Sequence, residues 1–362
     1  MKITIVAGAR PNFMKIAPII KAINTEYSDK IQFRLVHTGQ HYDRKMSGDF
    51  FEELGIPMPD SNLGAGGGTQ AEQTASIMVG FEKELLANPT SVVLVVGDVT
   101  STMACSITAK KLNIPVVHVE GGIRSGDMSM PEEINRIVTD SISDHFFTTS
   151  ELANQNLQAS GISADRIHFV GNTMIDTLLA NLERLQDPNI LHEGKELKPH
   201  KYIVLTLHRP ANVDEEEKLK LMMDTIVNGC SPFPVVFPVH PRTAQILDQL
   251  GINYENLVTV EPLSYLKFNF LVKNALGVIT DSGGITEETT ILKVPCITLR
   301  DNTERPETVE LGTNELVGTD PAKLPPFLEK MKSGNWKHGD TPPLWDGKAA
   351  QRIVKKLLEI YG

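Results

Sequence analysis

Short apolar runs of strand length alternate along the whole chain with longer stretches of helical apolar spacing. In the first half, Lys2–Ala7, Phe33–His37, Val92–Val96, Pro115–Val119, Phe146–Thr148 and Ile167–Val170 read as buried strands. Between and after them, Phe13–Asn24, Gly48–Leu54, Ser76–Leu86, Thr102–Leu112, Leu152–Ala159 and Asn172–Leu185 predict helices, and another runs from Pro131 to about Ser143. Pro131 suits a first helical turn and Ser150 suits a helix cap. The stretch 186–200 then turns polar, with Pro188 and Pro199, and predicts a domain boundary. The alternation resumes with strands at Tyr202–Thr206, Val235–Val239, Leu257–Val260, Gly277–Thr280 and Pro295–Leu299. Asp214–Val227, Arg242–Leu250 and Tyr265–Asn274 are the intervening helices, and Ala349–Tyr361 is a final amphipathic one.

Strands alternating with helices predict parallel sheets, and 362 residues exceed what a single core usually holds. The expected fold is α/β, with two doubly wound Rossmann-like domains facing across a cleft, as in two-domain glycosyltransferases. Residues 1–185 form the first domain, 186–348 the second, and 349–362 a terminal helix expected to pack back on the first.

In such folds ligands collect at the carboxyl ends of the strands. The first strand ends in Gly8-Ala9-Arg10-Pro11-Asn12, which sets Arg10 and Lys15 at that edge. Two cations there point to anion binding, although solvated surface charge would look the same. No GxGxxG follows the strand, which argues against NAD. Asp98 and Glu120 terminate consecutive strands, and Glu132 opens the next helix. Asp98 could instead cap a helix and Glu132 could serve a helix dipole, but carboxylates gathered at one edge can work as acid and base. In the second half, His208 and His240 end strands, and VITDSGGITEE (278–288) reads as strand, glycine turn and helix start. That turn presents free N–H groups to a phosphate. The dipole is worth only about 0.3–1 kcal/mol, so Ser282 and a cation such as Arg300 or Arg305 must help. Glu288, one turn on, would repel phosphate unless it faced ribose hydroxyls, and a nucleoside diphosphate meets both conditions.

Composition narrows the partners. A net charge of −10 excludes a nucleic-acid footprint. Cys105, Cys230 and Cys296 lack paired spacing and fit reduced, buried thiols. No apolar run approaches membrane-span length, and MKITIVAGARP lacks the features of a signal peptide, so a cytoplasmic enzyme with no membrane partner is expected. No metal and no cofactor are expected, since the histidines lack a third ligand at zinc-like spacing and no Walker lysine or GxSxG elbow occurs.

GARPNFMKIAP (8–18), HTGQHYD (37–43), GDVTST (97–102), HVEGGIRSGD (118–127), MPEEINR (130–136), GNTMID (171–176), LTLHRPANV (205–213), FPVHPRT (237–243), TDSGGITEE (280–288) and LRDNTERPETVE (299–310) follow one another over nearly the full length. In this set and order the chain resembles the non-hydrolysing UDP-N-acetylglucosamine 2-epimerases. The resemblance implies interconversion of UDP-GlcNAc and UDP-ManNAc by elimination of UDP to 2-acetamidoglucal and readdition, for surface polysaccharide precursors, in a homodimer. It implies that Arg10, Lys15, His208, His240, Ser282, Gly283, Gly284, Glu288 and Arg305 hold the substrate, with Phe268 against uracil. Asp98, Glu120, Glu132 and His208 are the implied catalytic set. Asn12 stands where the family commonly has glutamate, Gly121 where alanine is usual, and Leu263 where a polar uracil contact is often found. A relative acting on another UDP-2-acetamido sugar, such as a 2,3-diacetamido glucuronate, is the close alternative. A hydrolysing epimerase and a glycosyltransferase of similar fold are more distant ones.

Overall fold

The computed structural model describes residues 1–39, 50–209, 212, 215–239, 241–252 and 254–362. The chain divides into two compact units, residues 1–180 with 343–362, and residues 181–342. Both divisions fall a few residues before the expected boundaries. Helix Thr173–Asn181 ends in a 3-10 turn, Leu182–Arg184, and the Gln186 N–H already bonds the Leu266 carbonyl of the second unit. On the return, buried Trp345 donates Nε1–H to the Thr149 carbonyl at 3.0 Å, which commits the chain to the first unit before its last helix begins.

The N-terminal unit carries a seven-stranded sheet in the order β3-β2-β1-β4-β5-β6-β7. Its strands are β1 (Lys2–Ala7), β2 (Gln32–His37), β3 (Ser61–Asn62), β4 (Val92–Val96), β5 (Val116–Val119), β6 (His145–Thr148) and β7 (Ile167–Phe169). All neighbours pair in parallel. The central strands are apolar on both faces because helices cover both, as buried parallel strands require. The final helix, Ala349–Tyr361, packs on helix Arg10–Glu26, and Asp176 accepts the Ala349 and Ala350 N–H groups at 3.2 and 2.7 Å, capping that last helix from another element.

The C-terminal unit holds β10 (Ile203–Thr206), β11 (Val235–Pro238), β12 (Leu257–Val260), β13 (Gly277–Thr280), β14 (Cys296–Thr298) and β15 (Asn314–Leu316). They form one parallel sheet in the order β12-β11-β10-β13-β14-β15, and β8 (Leu191–His192) with β9 (Lys195–Glu196) makes a small hairpin. Its core packs helix Glu216–Cys230 and helix Pro325–Lys332 on one face. In each sheet strand order reverses beside the first strand of that sheet, β1 against β4 and β10 against β13. These are the switch points at whose carboxyl edge α/β folds bind ligands.

Candidate active site

At the β1/β4 switch point the turn after β1 is tied down by Asn12. Its Oδ1 accepts from the Gly8 and Ala9 N–H groups at 3.2 and 3.1 Å, and its Nδ2 donates to the Val96 carbonyl at the end of β4. The amide thereby joins two neighbouring strand ends, which a carboxylate could not do because it has no N–H to give. Lys15, one turn into the helix, is buried and places Nζ 2.6 Å from Glu120 Oε2. Arg10 is exposed, with its guanidinium 4.8 Å from the Phe50 ring centre.

Glu120 follows β5 in the left-handed region, at φ 70°, and is 3% exposed. A non-glycine residue held there, next to an ion pair, is a strained conformation of the kind that collects at functional sites. Arg136, nearly fully buried on helix Pro131–Ile142, bridges the two acids. Its Nη1 donates to the Glu120 carbonyl at 2.7 Å, its Nη2 pairs with Asp98 Oδ2, and the same nitrogen lies 3.5 Å from Glu120 Oε1. Asn135, beside it, donates Nδ2–H to the Asp98 carbonyl. Lys15 and Arg136 therefore balance Asp98 and Glu120, and the set is held from two strand ends and two helices. Glu132 occupies the exposed first turn of the same helix. Glu133, next to it, turns inward and accepts from Ser125 N–H and Oγ–H and from the Gly126 N–H.

In the C-terminal unit, Asp281 is the hub of the β10/β13 switch point. It is fully buried, and its Oδ2 accepts from the His208 and Arg209 N–H groups and from Asn212 Nδ2, at 3.0, 2.9 and 3.1 Å. Its Oδ1 lies 2.7 Å from His208 Nδ1. Burial pushes the Asp281 carboxyl up, but the hydrogen bond and charge of His208 and the two backbone N–H groups outweigh it and hold it below the usual carboxylate range. The His208 side chain is otherwise 60% exposed. Ser282 stands at the N-cap of helix Gly283–Leu292 with no side-chain cap bond, so this turn presents N–H groups at a positive helix end. A side-chain carbon at Gly283 would lie 3.6 Å from Arg300 Nη1, which puts that buried guanidinium beside the glycine turn. Arg305 is buried and paired through Nε with Glu287. Glu288 is 4% exposed, and Asn269 Nδ2 donates to its Oε1 at 3.3 Å. Burial, with the charge of Glu288 behind it, pushes the Tyr265 phenol well up, so Tyr265 keeps its proton beside that acid. Phe268 is half-buried on helix Tyr265–Lys273, one residue before Asn269. His240 lies outside the described residues.

The sequence model of the UDP-N-acetylglucosamine 2-epimerase family matches residues 23–358. The chain belongs to that family. It is 43% identical to the UDP-N-acetylglucosamine 2-epimerase of Methanocaldococcus jannaschii, over 99% of both chains. The crystal structure of the M. jannaschii enzyme in complex with UDP-GlcNAc and UDP superposes with a TM-score of 0.85 at 41% identity, covering 99% of this chain and 100% of that one. The Neisseria meningitidis UDP-GlcNAc 2-epimerase bound to UDP-GlcNAc gives 0.88 at 30% identity, covering 99% of this chain and 100% of that one. The Pseudomonas aeruginosa UDP-2,3-diacetamido-2,3-dideoxy-D-glucuronate 2-epimerase is 37% identical over 99% of this chain and 100% of its own. The expected fold class, two Rossmann-like α/β domains, is that of these relatives.

The structure adds residues to this family site that the sequence reading did not single out. Arg136 and Asn135 bind the acid-bearing turns, Asp281 organises the β10/β13 edge, and Asn269 supports Glu288. Asp281 had a legible signal, a lone acid closing an apolar strand just before Ser-Gly-Gly. Arg136 had the spacing Glu132-x-x-x-Arg136, which reads as an ordinary exposed helical pair.

Proposed function

We propose that this protein is a UDP-N-acetylglucosamine 2-epimerase that interconverts UDP-GlcNAc and UDP-ManNAc. The observation carrying the proposal is Asp98 and Glu120 at adjacent strand ends, joined by Arg136 and with Lys15 paired to Glu120, in a member of this family. The C2 proton of the sugar is not next to a carbonyl, and general base catalysis contributes only about 10²–10⁴-fold. Breaking the anomeric C1–O bond first solves this. The bonding pair leaves with UDP, positive charge spreads over C1 and the ring oxygen, and C2–H becomes acidic. A carboxylate takes that proton, which gives 2-acetamidoglucal and UDP. A proton then returns to C2 on the opposite face, and the UDP oxygen adds back to C1.

In this reading Asp98, Glu120 and Glu132 share the proton transfers. Ser282, Gly283 and Gly284 bind the diphosphate with Arg10, Lys15, His208, His240 and Arg305, and so favour the charge that builds on departing UDP. Glu288 takes the ribose hydroxyls and Phe268 lies against uracil. The units are proposed as N-terminal, carrying the sugar-facing acids, and C-terminal, binding UDP. We further propose a cytoplasmic homodimer that supplies surface polysaccharide precursors. The compartment is supported by three buried free cysteines, and the dimer by the family resemblance.

Proton NMR in D₂O with UDP-GlcNAc tests the reaction. Deuterium at C2 of both UDP-GlcNAc and UDP-ManNAc is expected. Binding of UDP without any exchange would overturn the proposal. Exchange seen only with UDP-2,3-diacetamido-2,3-dideoxy-glucuronate would move the substrate to that of the P. aeruginosa relative.

A further inference from the structure

Behind the acid pair lies a second buried charge cluster. His118, on β5 and 0% exposed, places Nε2 2.8 Å from the Gly97 carbonyl and Nδ1 2.7 Å from Asp140 Oδ1. Asp140 Oδ2 accepts from the Gly122 N–H at 3.1 Å and from Arg124 Nη1 at 2.6 Å. The positions are not arbitrary, since Gly97 precedes Asp98 and His118 stands two residues before Glu120. Gly97 and Glu120 both sit in the left-handed region, at φ 67° and 70°, so each acid-bearing turn bends where its strand ends. Three carbonyls of these turns are each gripped by a side chain, Gly97 by His118, Asp98 by Asn135 and Glu120 by Arg136. Room for the His118–Asp140 pair is tight. A methyl at Gly121 would lie 3.1 Å from Asp140 Oδ1 and 3.2 Å from His118 Nδ1.

A carbonyl oxygen only accepts, so the nitrogen facing Gly97 carries a proton. An ionised carboxylate also only accepts, so the nitrogen facing Asp140 carries one too. Asp140 meets donors on its other oxygen too, the Gly122 N–H and the Arg124 guanidinium, a setting that favours the ionised carboxylate. A neutral imidazole has one N–H and could serve only one of these acceptors.

We propose that His118 is a buried imidazolium and, with Asp140, a positioning pair that sets the separation of the Asp98 and Glu120 carboxylates. The pair ties the end of β4 to β5 and, through Asp140, ties β5 to helix Pro131–Ile142, which also carries Arg136. The other charged groups around it are Asp98, Glu120, Lys15, Arg136 and Arg124, already matched among themselves or with Asp140. The positioning role rests on the reading of Asp98 and Glu120 as the groups that move the C2 proton.

Two measurements test it. In protein labelled with ¹⁵N on the histidine rings, the buried His118 ring is recognised by its slow solvent exchange and its absence in His118→Gln. Both ring nitrogens are expected to bear protons at neutral pH, and one bare nitrogen would overturn the assignment whatever the enzyme catalyses. In Asp140→Asn, kcat is expected to fall about 10²-fold, as for a misplacement of about 1 Å, with KM and UDP affinity within about twofold. An unchanged kcat, or a loss carried by KM, would refute the positioning role. Should that variant fail to fold, the wild-type ring spectrum still decides the charge. Absence of C2 exchange in the wild type would count against the epimerase reading instead.

Discussion

Asp281→Ala is the perturbation that most directly probes the β10/β13 edge, where UDP is proposed to bind. The fully buried carboxylate accepts from two backbone N–H groups and one side-chain amide. Alanine leaves all three without that acceptor. At about 1–1.5 kcal/mol each for hydrogen bonds that exchange partly with water, the loss is about 3–4.5 kcal/mol. The His208 contact adds little, because that side chain is 60% exposed and screened. Asparagine is a sharper control. Its oxygen can face the three donors while its amide turns to His208 Nδ1, which can accept when unprotonated, so the expected cost is only about 1 kcal/mol. Urea unfolding near pH 7 reads both, and for a unit spanning residues 181–342 the alanine variant should melt roughly 10 °C lower. The carboxyl is held below its usual range, so its advantage over asparagine is present above the ordinary Asp value and is lost as pH falls through the lowered one. The wild type and the asparagine variant should therefore converge only below about pH 4. Equal stability of alanine and asparagine near pH 7 would refute the hub.

Four further outcomes are expected. Asp98→Asn should lower turnover at least about 10²-fold while calorimetric UDP affinity stays within twofold, and weakened UDP binding with normal turnover would count against its role. Arg136→Met removes the buried guanidinium that pairs with both Asp98 and Glu120 and should cost about 3–5 kcal/mol in denaturant titration. Burial pushes Asp176 up to about 6 against the Ala350 and Ala349 N–H bonds, so its share of stability is full below the ordinary value of 3.8 and lost as pH rises through about 6. Asp176→Asn should flatten that slope, whose ceiling is about 3 kcal/mol at 1.36 kcal/mol per pH unit. Burial, with His145 and Lys356 nearby, takes His168 down to about 4. Its contribution has the opposite sign, present above about 6.5 and lost as pH falls through about 4, so His168→Phe should remove an acid-side decline in thermal melts.

The acid pair was legible because VVLVVGD and VVHVEGG each announce a strand and then an acid at its end, and sheet topology does the rest. Arg136 was hidden by the rule that finds helices. On helix Pro131–Ile142 the buried face is polar, with Glu133, Asn135, Arg136, Thr139 and Asp140 inside, while Ile134 and Ile137 are 44% and 37% exposed. Apolar periodicity therefore marks the wrong side of an element whose task is to grip the acid-bearing turns. The short strands β3, β8, β9 and β15 carry no alternation long enough to read, and helix Pro325–Lys332, opening on two prolines, resembles a loop in sequence. Trp345 gave no hint of its role, because an isolated tryptophan beside prolines does not say which unit it will enter.

That tryptophan, with the helix after it, makes the C-terminal unit an insertion within the N-terminal one, since the chain leaves the first unit near residue 180 and re-enters it near 343. Residues 181–342 are thus a single contiguous piece of the chain. The first unit has no such contiguous gene fragment. Removing residues 349–362 would strip the Arg10–Glu26 helix of its covering helix and leave Asp176 with nothing to cap. The lesion would fall after the inserted unit and the damage in the unit that precedes it.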